Sequence, residues 1–125
     1  MLVSRRFWDG VGGLAYAFAK ADGAIEESEM RTFAERIEQS FSGIPTNFPQ
    51  RALSTFELFY NLSYTPEKAY QEAIESFAAV PDEVRHYRFD ILNIFREVIQ
   101  ADGKQHPYEE EFLQRLDADM ERIIQ

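Results

Sequence analysis

Two segments of the chain combine a carboxylate with a glycine that can turn the backbone, and they stand 80 residues apart. The tripeptide Ala-Asp-Gly occurs at 21–23 and at 101–103, and each aspartate is followed seven residues later by a glutamate. Hard divalent cations such as Ca²⁺ and Mg²⁺ bind several oxygen atoms at short range, and carboxylates and backbone carbonyls supply them. The spacing therefore predicts a cation site at each loop. The candidate ligands are Asp22, Glu26 and Glu29 in the first copy and Asp102, His106 and Glu109 in the second.

The same residues also fit a purely structural role at the start of a helix. Pro107 is best placed at the first helical position, because its missing N–H is not needed there. His106 is then the N-cap and Glu109 the third helical residue, from which a glutamate side chain reaches back to the N-cap N–H. Aligning the two copies gives Glu26 and Glu29 the same positions. Capping and cation binding both stay open for these residues.

The two aspartates are harder to explain by capping alone. Asp22 and Asp102 are predicted to follow the C-terminal ends of helices, where the helix dipole disfavours a carboxylate. An aspartate that occurs twice in this place needs a partner. The possible partners are the N–H groups of the next helix, a basic side chain or a bound cation.

The sequence gives less support to an EF-hand, to a di-iron site and to enzymatic activity. An EF-hand needs its last glutamate eleven residues after the first aspartate, where this chain has Phe33 and Leu113. Glu83 and His86 have the spacing of a di-iron ligand pair, but such a site needs two pairs, so His86 is expected to be a surface or packed residue. The sequence has no glycine-rich phosphate loop and no serine with an assignable histidine and acid. We therefore expect no enzymatic activity.

The composition favours cations and proteins as partners. With 22 acidic and 13 basic residues the net charge is −9, which argues against binding to nucleic acid or anionic lipid. The chain has no cysteine, so a thiolate nucleophile and cysteine-ligated metals are excluded.

Arg5-Arg6 and the apolar stretch after it could pass for a signal sequence, but Asp9 interrupts that stretch. We expect a cytoplasmic protein that does not insert into membranes.

Apolar residues recur at helical spacing along almost the whole chain. This periodicity predicts an all-α, single-domain bundle of six to seven helices over residues 1–125. An internal duplication of a helix–loop–helix unit is expected, with halves centred on 14–33 and 94–113. Thr65-Pro66, Pro81 and Pro107 mark helix starts, and 42–49 is a turn-rich connector. The predicted apolar stripes are Phe7, Val11, Leu14 and Phe18; Met30, Phe33, Ala34, Ile37 and Phe41; Leu53, Phe56, Phe59 and Tyr60; Tyr70, Ala73, Ile74 and Phe77; Val84, Tyr87, Ile91, Leu92, Phe95 and Val98; and Phe112, Leu113, Leu116, Met120 and Ile123.

Three glycines fall inside the first predicted helix, at Gly10, Gly12 and Gly13. Each costs about 0.5–1 kcal/mol of helix stability relative to alanine. We expect them to permit the close approach of a neighbouring helix, with a hinge as the alternative.

The stretches 18–29 and 98–109 resemble the TerB-like tellurite-resistance family. The first copy also resembles the N-terminal domain of DjlA-type membrane-anchored co-chaperones, although this chain has no J-domain. The resemblance implies an all-helical fold of two related halves, in which acidic loop residues bind divalent metal. It gives Asp22, Glu29, Asp102 and Glu109 that role. The second copy departs from the pattern at 105 and 106, which makes it the weaker candidate.

We accordingly expect a non-enzymatic stress-response protein of the tellurite-resistance type. It would act as an acidic interaction module and bind a divalent cation, Ca²⁺ or Mg²⁺, at the Ala-Asp-Gly loops. The alternative is a structural or dimerisation scaffold, co-chaperone-like and without metal. Protein partners are expected, a homodimer is left open, and nucleic acid is not expected.

Overall fold

The structure, a computed structural model, describes residues 4–21, 35, 48–101 and 107–125, with side chains at 4–21, 35, 50–96 and 110–125. No strand occurs in these ranges, so the predicted all-α class is confirmed for them. The helices are α1 (Arg5–Ala21), α2 (Phe48–Asn61), α3 (Pro66–Ala78), α4 (Pro81–Ala101) and α5 (Pro107–Ile124).

The predicted number of helices was six to seven, and the described ranges contain five long ones. The predicted helix over residues 30–41 lies outside these ranges, apart from Glu35, which is helical. The sixth and seventh helices, the internal duplication and the single domain over 1–125 stay predictions.

The prolines begin helices as the sequence indicates. Thr65 caps α3, since its Oγ1 accepts a hydrogen bond from the Lys68 N–H at 3.2 Å. Helices α4 and α5 begin at Pro81 and Pro107. The predicted connector 42–49 is wrong in its last two residues, because α2 already begins at Phe48. Pro49 is tolerated there, since a proline in the first helical turn removes no intrahelical hydrogen bond.

Helix α1 is buried on almost every side and forms the centre of the core. A Cβ atom on Gly12 would overlap the backbone carbonyl of Ala52, and one on Gly10 would lie 2.8 Å from the ring of Phe77. Helices α2 and α3 can therefore pack against α1 only because glycine stands at these positions. The expectation of close helix approach is confirmed.

Contacts along α1 establish how its neighbours run. Helix α2 is parallel to α1, since Arg51 pairs with Asp9 near the start of both helices and Phe59 meets Tyr16 further along. Helix α3 is antiparallel to α1. Phe77, near its end, meets Phe7, whereas Tyr64, just before its start, accepts a hydrogen bond from Tyr16.

Among the described side chains, the predicted apolar stripes face the core except in α2; the predicted stripe over 30–41 and Val98 lie outside the described side chains. Tyr60 is 52% exposed and Leu53 is only half-buried, whereas Ala52 is buried on the inner face of α2. The reason is the glycine contact, because the surface of α2 that meets Gly12 needs a small residue. The stripe residues that are buried or packed at the edge of the core are Phe7, Val11, Leu14, Phe18, Phe56, Phe59, Tyr70, Ala73, Ile74, Phe77, Val84, Tyr87, Ile91, Leu92, Phe95, Phe112, Leu113, Leu116, Met120 and Ile123.

Within the described part of the chain, no helix is both long enough and apolar enough to cross a lipid bilayer.

Candidate functional site

Most of the predicted ligands fall in segments that the structure does not describe. Asp22, Glu26, Glu29, Asp102 and His106 lie outside the described residues. The backbone of Glu109 is described, and it is the third residue of α5, as the position of Pro107 predicts. Its side chain is outside the described set. The site can therefore be built only from the helices that lead into and out of these segments.

The two helices that precede the Ala-Asp-Gly copies are parallel. At their starts, the backbone N–H and the hydroxyl of Ser4 each donate a hydrogen bond to the carboxylate of Glu83, both at 2.8 Å. The rings of Phe7 and Tyr87 follow, with centroids 5.5 Å apart. Towards their ends, the rings of Phe18 and Phe95 lie 6.3 Å apart.

The residues that pair between α1 and α4 are separated in the sequence by nearly the same number of residues as the two Ala-Asp-Gly copies. Partners in α1 and α4 differ by 77 to 80 in residue number, and the two aspartates differ by 80. The last residues of α1 and α4, Ala21 and Ala101, therefore lie at the same end of the bundle. The negative poles of both helix dipoles are also at that end.

An aromatic cluster joins this end of the bundle to α5. The ring of Phe112 lies 5.2 Å from that of Phe18 and 5.8 Å from that of Phe95. The ring of Tyr70 from α3 is the third aromatic neighbour of Phe112, at 6.0 Å. Edge-to-face packing of this kind adds about 0.5–1.5 kcal/mol per pair beyond the area buried. The first turns of α5, including Glu109, are thus anchored beside the ends of α1 and α4.

Charged and polar groups fix α5 against α3. The guanidinium of Arg115 binds both carboxylate oxygens of Glu67, at 2.7 and 2.8 Å, and lies over the ring of Tyr70. The hydroxyl of Tyr70 donates a short hydrogen bond to Asp119, which is buried and also pairs with Arg122. A buried carboxylate is tolerated only with such partners.

The pKa values of Glu67 and Tyr70 are both shifted within this network. The hydrogen bond from Arg115, followed by the one from Gln71, lowers the pKa of Glu67 to about 2. Burial raises the pKa of Tyr70 to about 12, against a smaller opposing effect of Arg115. Glu67 therefore stays ionised, and Tyr70 stays a hydrogen-bond donor, across the whole neutral range.

A second set of contacts fixes α5 against α4, which runs antiparallel to it. Arg88 pairs with Asp117 at 2.6 Å and with Glu121, and its side chain is mostly buried. One turn earlier on α4, Arg85 donates a hydrogen bond to the carbonyl of Ile124 at 2.9 Å. Helix α5 is consequently held by charged groups on two sides.

The residues that the structure describes do not themselves form a metal site. Among them, no group of three or more acidic or histidine side chains is arranged to hold a metal ion. His86 is exposed and packs edge-on against Tyr87, in agreement with the surface role expected for it. Glu83 accepts hydrogen bonds from Ser4 and serves as a structural contact.

The sequence did not indicate the polar network of α3 and α5. Glu67 and Arg115 are 48 residues apart, and neither breaks the pattern of an ordinary polar helix face. Asp119 offered one weak signal. It lies beside Met120 on the buried side of α5, where an acidic residue needs a partner.

Comparison with known proteins gives one match. The model of the family described as tellurite resistance protein TerB matches residues 10–120. No curated protein and no solved structure matches the chain.

Proposed function

Since this chain belongs to the TerB family of tellurite resistance proteins, we propose that it is a non-enzymatic interaction module of a stress response. Each of its two Ala-Asp-Gly loops binds a divalent cation, Ca²⁺ or Mg²⁺, and the bound cations control contact with a protein partner. In this proposal Asp22 and Asp102 are the principal ligands. Glu29 and Glu109 assist them, and Glu26 and His106 are the remaining candidates.

The parallel packing of α1 and α4 is the observation that carries this proposal. Ala21 and Ala101 end helices on the same side of the bundle, and an aspartate follows each of them in the sequence. Each helix end also contributes roughly half a negative charge from its dipole. A divalent cation would offset this accumulation of negative charge in a chain whose net charge is already −9.

Free carbonyl groups at a helix end add to the donor set. The last four carbonyls of an α-helix have no intrahelical partner. Hard cations accept such oxygens together with carboxylates. The chemistry of the donor set therefore fits Ca²⁺ or Mg²⁺ better than a metal that prefers sulfur ligands, and the chain has no cysteine.

A second function is favoured by a separate observation. Helix α5 begins at Pro107 and has Glu109 as its third residue, which is the position of a capping-box glutamate. In this alternative the acidic residues cap helices, no metal is bound, and the domain is a structural or dimerisation scaffold, co-chaperone-like in character. Under either function we propose a cytoplasmic location and a protein partner.

A metal titration followed by amide chemical shifts separates the two functions. Ca²⁺, Mg²⁺ and Zn²⁺ are added in turn up to about 10 mM, which covers weak sites of roughly millimolar affinity. We expect saturable shifts at Gly23 and Gly103 with Ca²⁺ or Mg²⁺. Asp22→Asn should abolish the shift at Gly23, and Asp102→Asn that at Gly103. Asp90→Asn changes the net charge equally at an exposed site on α4 and should leave both shifts intact.

The capping alternative predicts a different result. No saturable shift would then occur with any of the three metals. Asp22→Asn and Asp102→Asn would lower the free energy of unfolding equally in the presence and absence of metal. That result would exclude the cation proposal and leave the scaffold.

A further inference from the structure

The outer face of α4 carries the most exposed large apolar side chain among the described residues, that of Phe89, which is 71% exposed. A single exposed aromatic residue is common on protein surfaces and has no meaning by itself. Here its neighbours on the same helix face form a regular pattern. The outer face consists of Asp82, Arg85, His86, Phe89, Asn93 and Arg96, all of which are exposed.

Two copies of this helix face are complementary to each other when the two helices run in opposite directions. Seven residues before Phe89 stands Asp82, and seven residues after it stands Arg96. If two copies of α4 cross antiparallel with their Phe89 rings at the centre, each Asp82 faces an Arg96 of the other copy. Arg85, four residues before the centre, pairs with Asp82 of its own helix and donates to the carbonyl of Ile124. In the crossing it also faces Asn93, four residues after the centre, which supplies a further hydrogen-bond acceptor.

The charge of the face also favours a second copy of the chain. Two molecules with a net charge of −9 repel each other over most of their surfaces. The exposed part of α4 from 82 to 96 carries Arg85 and Arg96 against Asp82 and Asp90, so it is close to neutral. Phe89 thus lies on a face where two acidic copies can approach without strong repulsion.

We propose that the protein self-associates through the outer face of α4, as a symmetric dimer in which two α4 helices pack antiparallel about Phe89. A two-fold interface of this kind brings the same residues together from both copies, so every favourable pair occurs twice. A central aromatic residue surrounded by polar groups is the usual arrangement of an interface hot spot.

The size of the face indicates a weak dimer. The stretch from 82 to 96 is about 21 Å long at 1.5 Å per residue. One helix face of that length falls below the area of stable interfaces and belongs to the transient class. The association should therefore depend on concentration, with a dissociation constant on the order of 100 µM.

Sedimentation equilibrium from about 10 to about 500 µM spans that range. The wild-type chain should change from monomer to dimer, and Phe89→Ser should stay monomeric at every concentration. Leu58→Ser is the matched control, because Leu58 is 53% exposed on α2 and should not affect association. Circular dichroism establishes that each variant is folded. A monomeric wild type, or association unchanged in Phe89→Ser, would overturn the proposal.

Charge reversal tests the antiparallel geometry itself. Asp82→Arg and Arg96→Asp should each weaken self-association roughly tenfold, since symmetry turns two attractive surface pairs into two repulsive ones. An equimolar mixture of the two variants restores both attractive pairs and should form a heterodimer. If the mixture associates no better than either variant alone, the antiparallel arrangement is wrong.

Discussion

Helices α1 and α5 both adjoin an Ala-Asp-Gly segment, but they are held in place by different forces. Helix α1 is fixed by shape: three glycines admit its neighbours, and Phe7 and Leu14 fill the spaces between them. Helix α5 packs through the aromatic cluster around Phe112, and charged groups also hold it, through Arg115 on one side and Arg88 on the other. Mutations that add volume should therefore disturb α1, whereas changes of pH should disturb α5.

The largest effect is expected where the shape of α1 is changed. In Gly12→Ala the new Cβ meets the carbonyl group of Ala52, which is backbone and cannot rotate away. We expect a loss of about 3 kcal/mol in the free energy of unfolding, measured by urea denaturation.

Gly10→Ala serves as the matched variant for this comparison. The added Cβ meets the buried ring of Phe77, which is a side chain and not backbone, so the loss should be smaller. If packing against Ala52 were loose, the higher helix propensity of alanine would instead make Gly12→Ala more stable by about 1 kcal/mol. A gain of that kind would contradict the close approach.

A smaller effect is expected where the charge network of α5 is changed. Tyr70→Phe removes the hydroxyl that donates to buried Asp119. Because Arg122 and Arg115 remain near that carboxylate, we expect a loss of about 1 kcal/mol at pH 7.

The same variant should alter the response to alkaline pH. The pKa of Tyr70 is about 12 in the folded chain, against 10.0 for an ordinary tyrosine. The unfolded chain therefore loses this proton first as the pH rises. The stability that depends on Tyr70 is fully present below pH 10 and is lost between pH 10 and pH 12. Equal slopes of stability against pH in that window for wild type and Tyr70→Phe would show that Tyr70 is not buried as described.

Local features of the fold were predictable because their causes lie within a few residues. Thr65 and Pro66 begin a helix by capping and by the missing N–H, and both causes can be read from neighbouring positions. The glycines of α1 were predictable in the same way, since glycine inside a helix is costly without a close neighbour.

The arrangement of the helices was not predictable from these signals. The repeated Ala-Asp-Gly sequence predicts that two helices precede similar segments, but it does not say whether the helices run in the same direction. That depends on contacts such as Ser4 with Glu83 and Phe18 with Phe95, which join residues far apart in the chain. Tyr60 was misplaced for a related reason, because the size of Ala52 matters only once Gly12 lies against it.

Two distances, from one position on α1 to two positions on α4, test most directly whether both acidic segments leave the bundle at the same end. The chain has no cysteine, so spin labels can be attached at chosen exposed positions. One pair is Lys20→Cys with Arg96→Cys, and the other is Lys20→Cys with Asp82→Cys. Positions 82 and 96 are separated by about 21 Å along α4. Parallel helices predict a label distance about 10 Å shorter for the 20/96 pair. A distance for the 20/82 pair that is equal or shorter would contradict the parallel packing and remove the support for a shared cation-binding end.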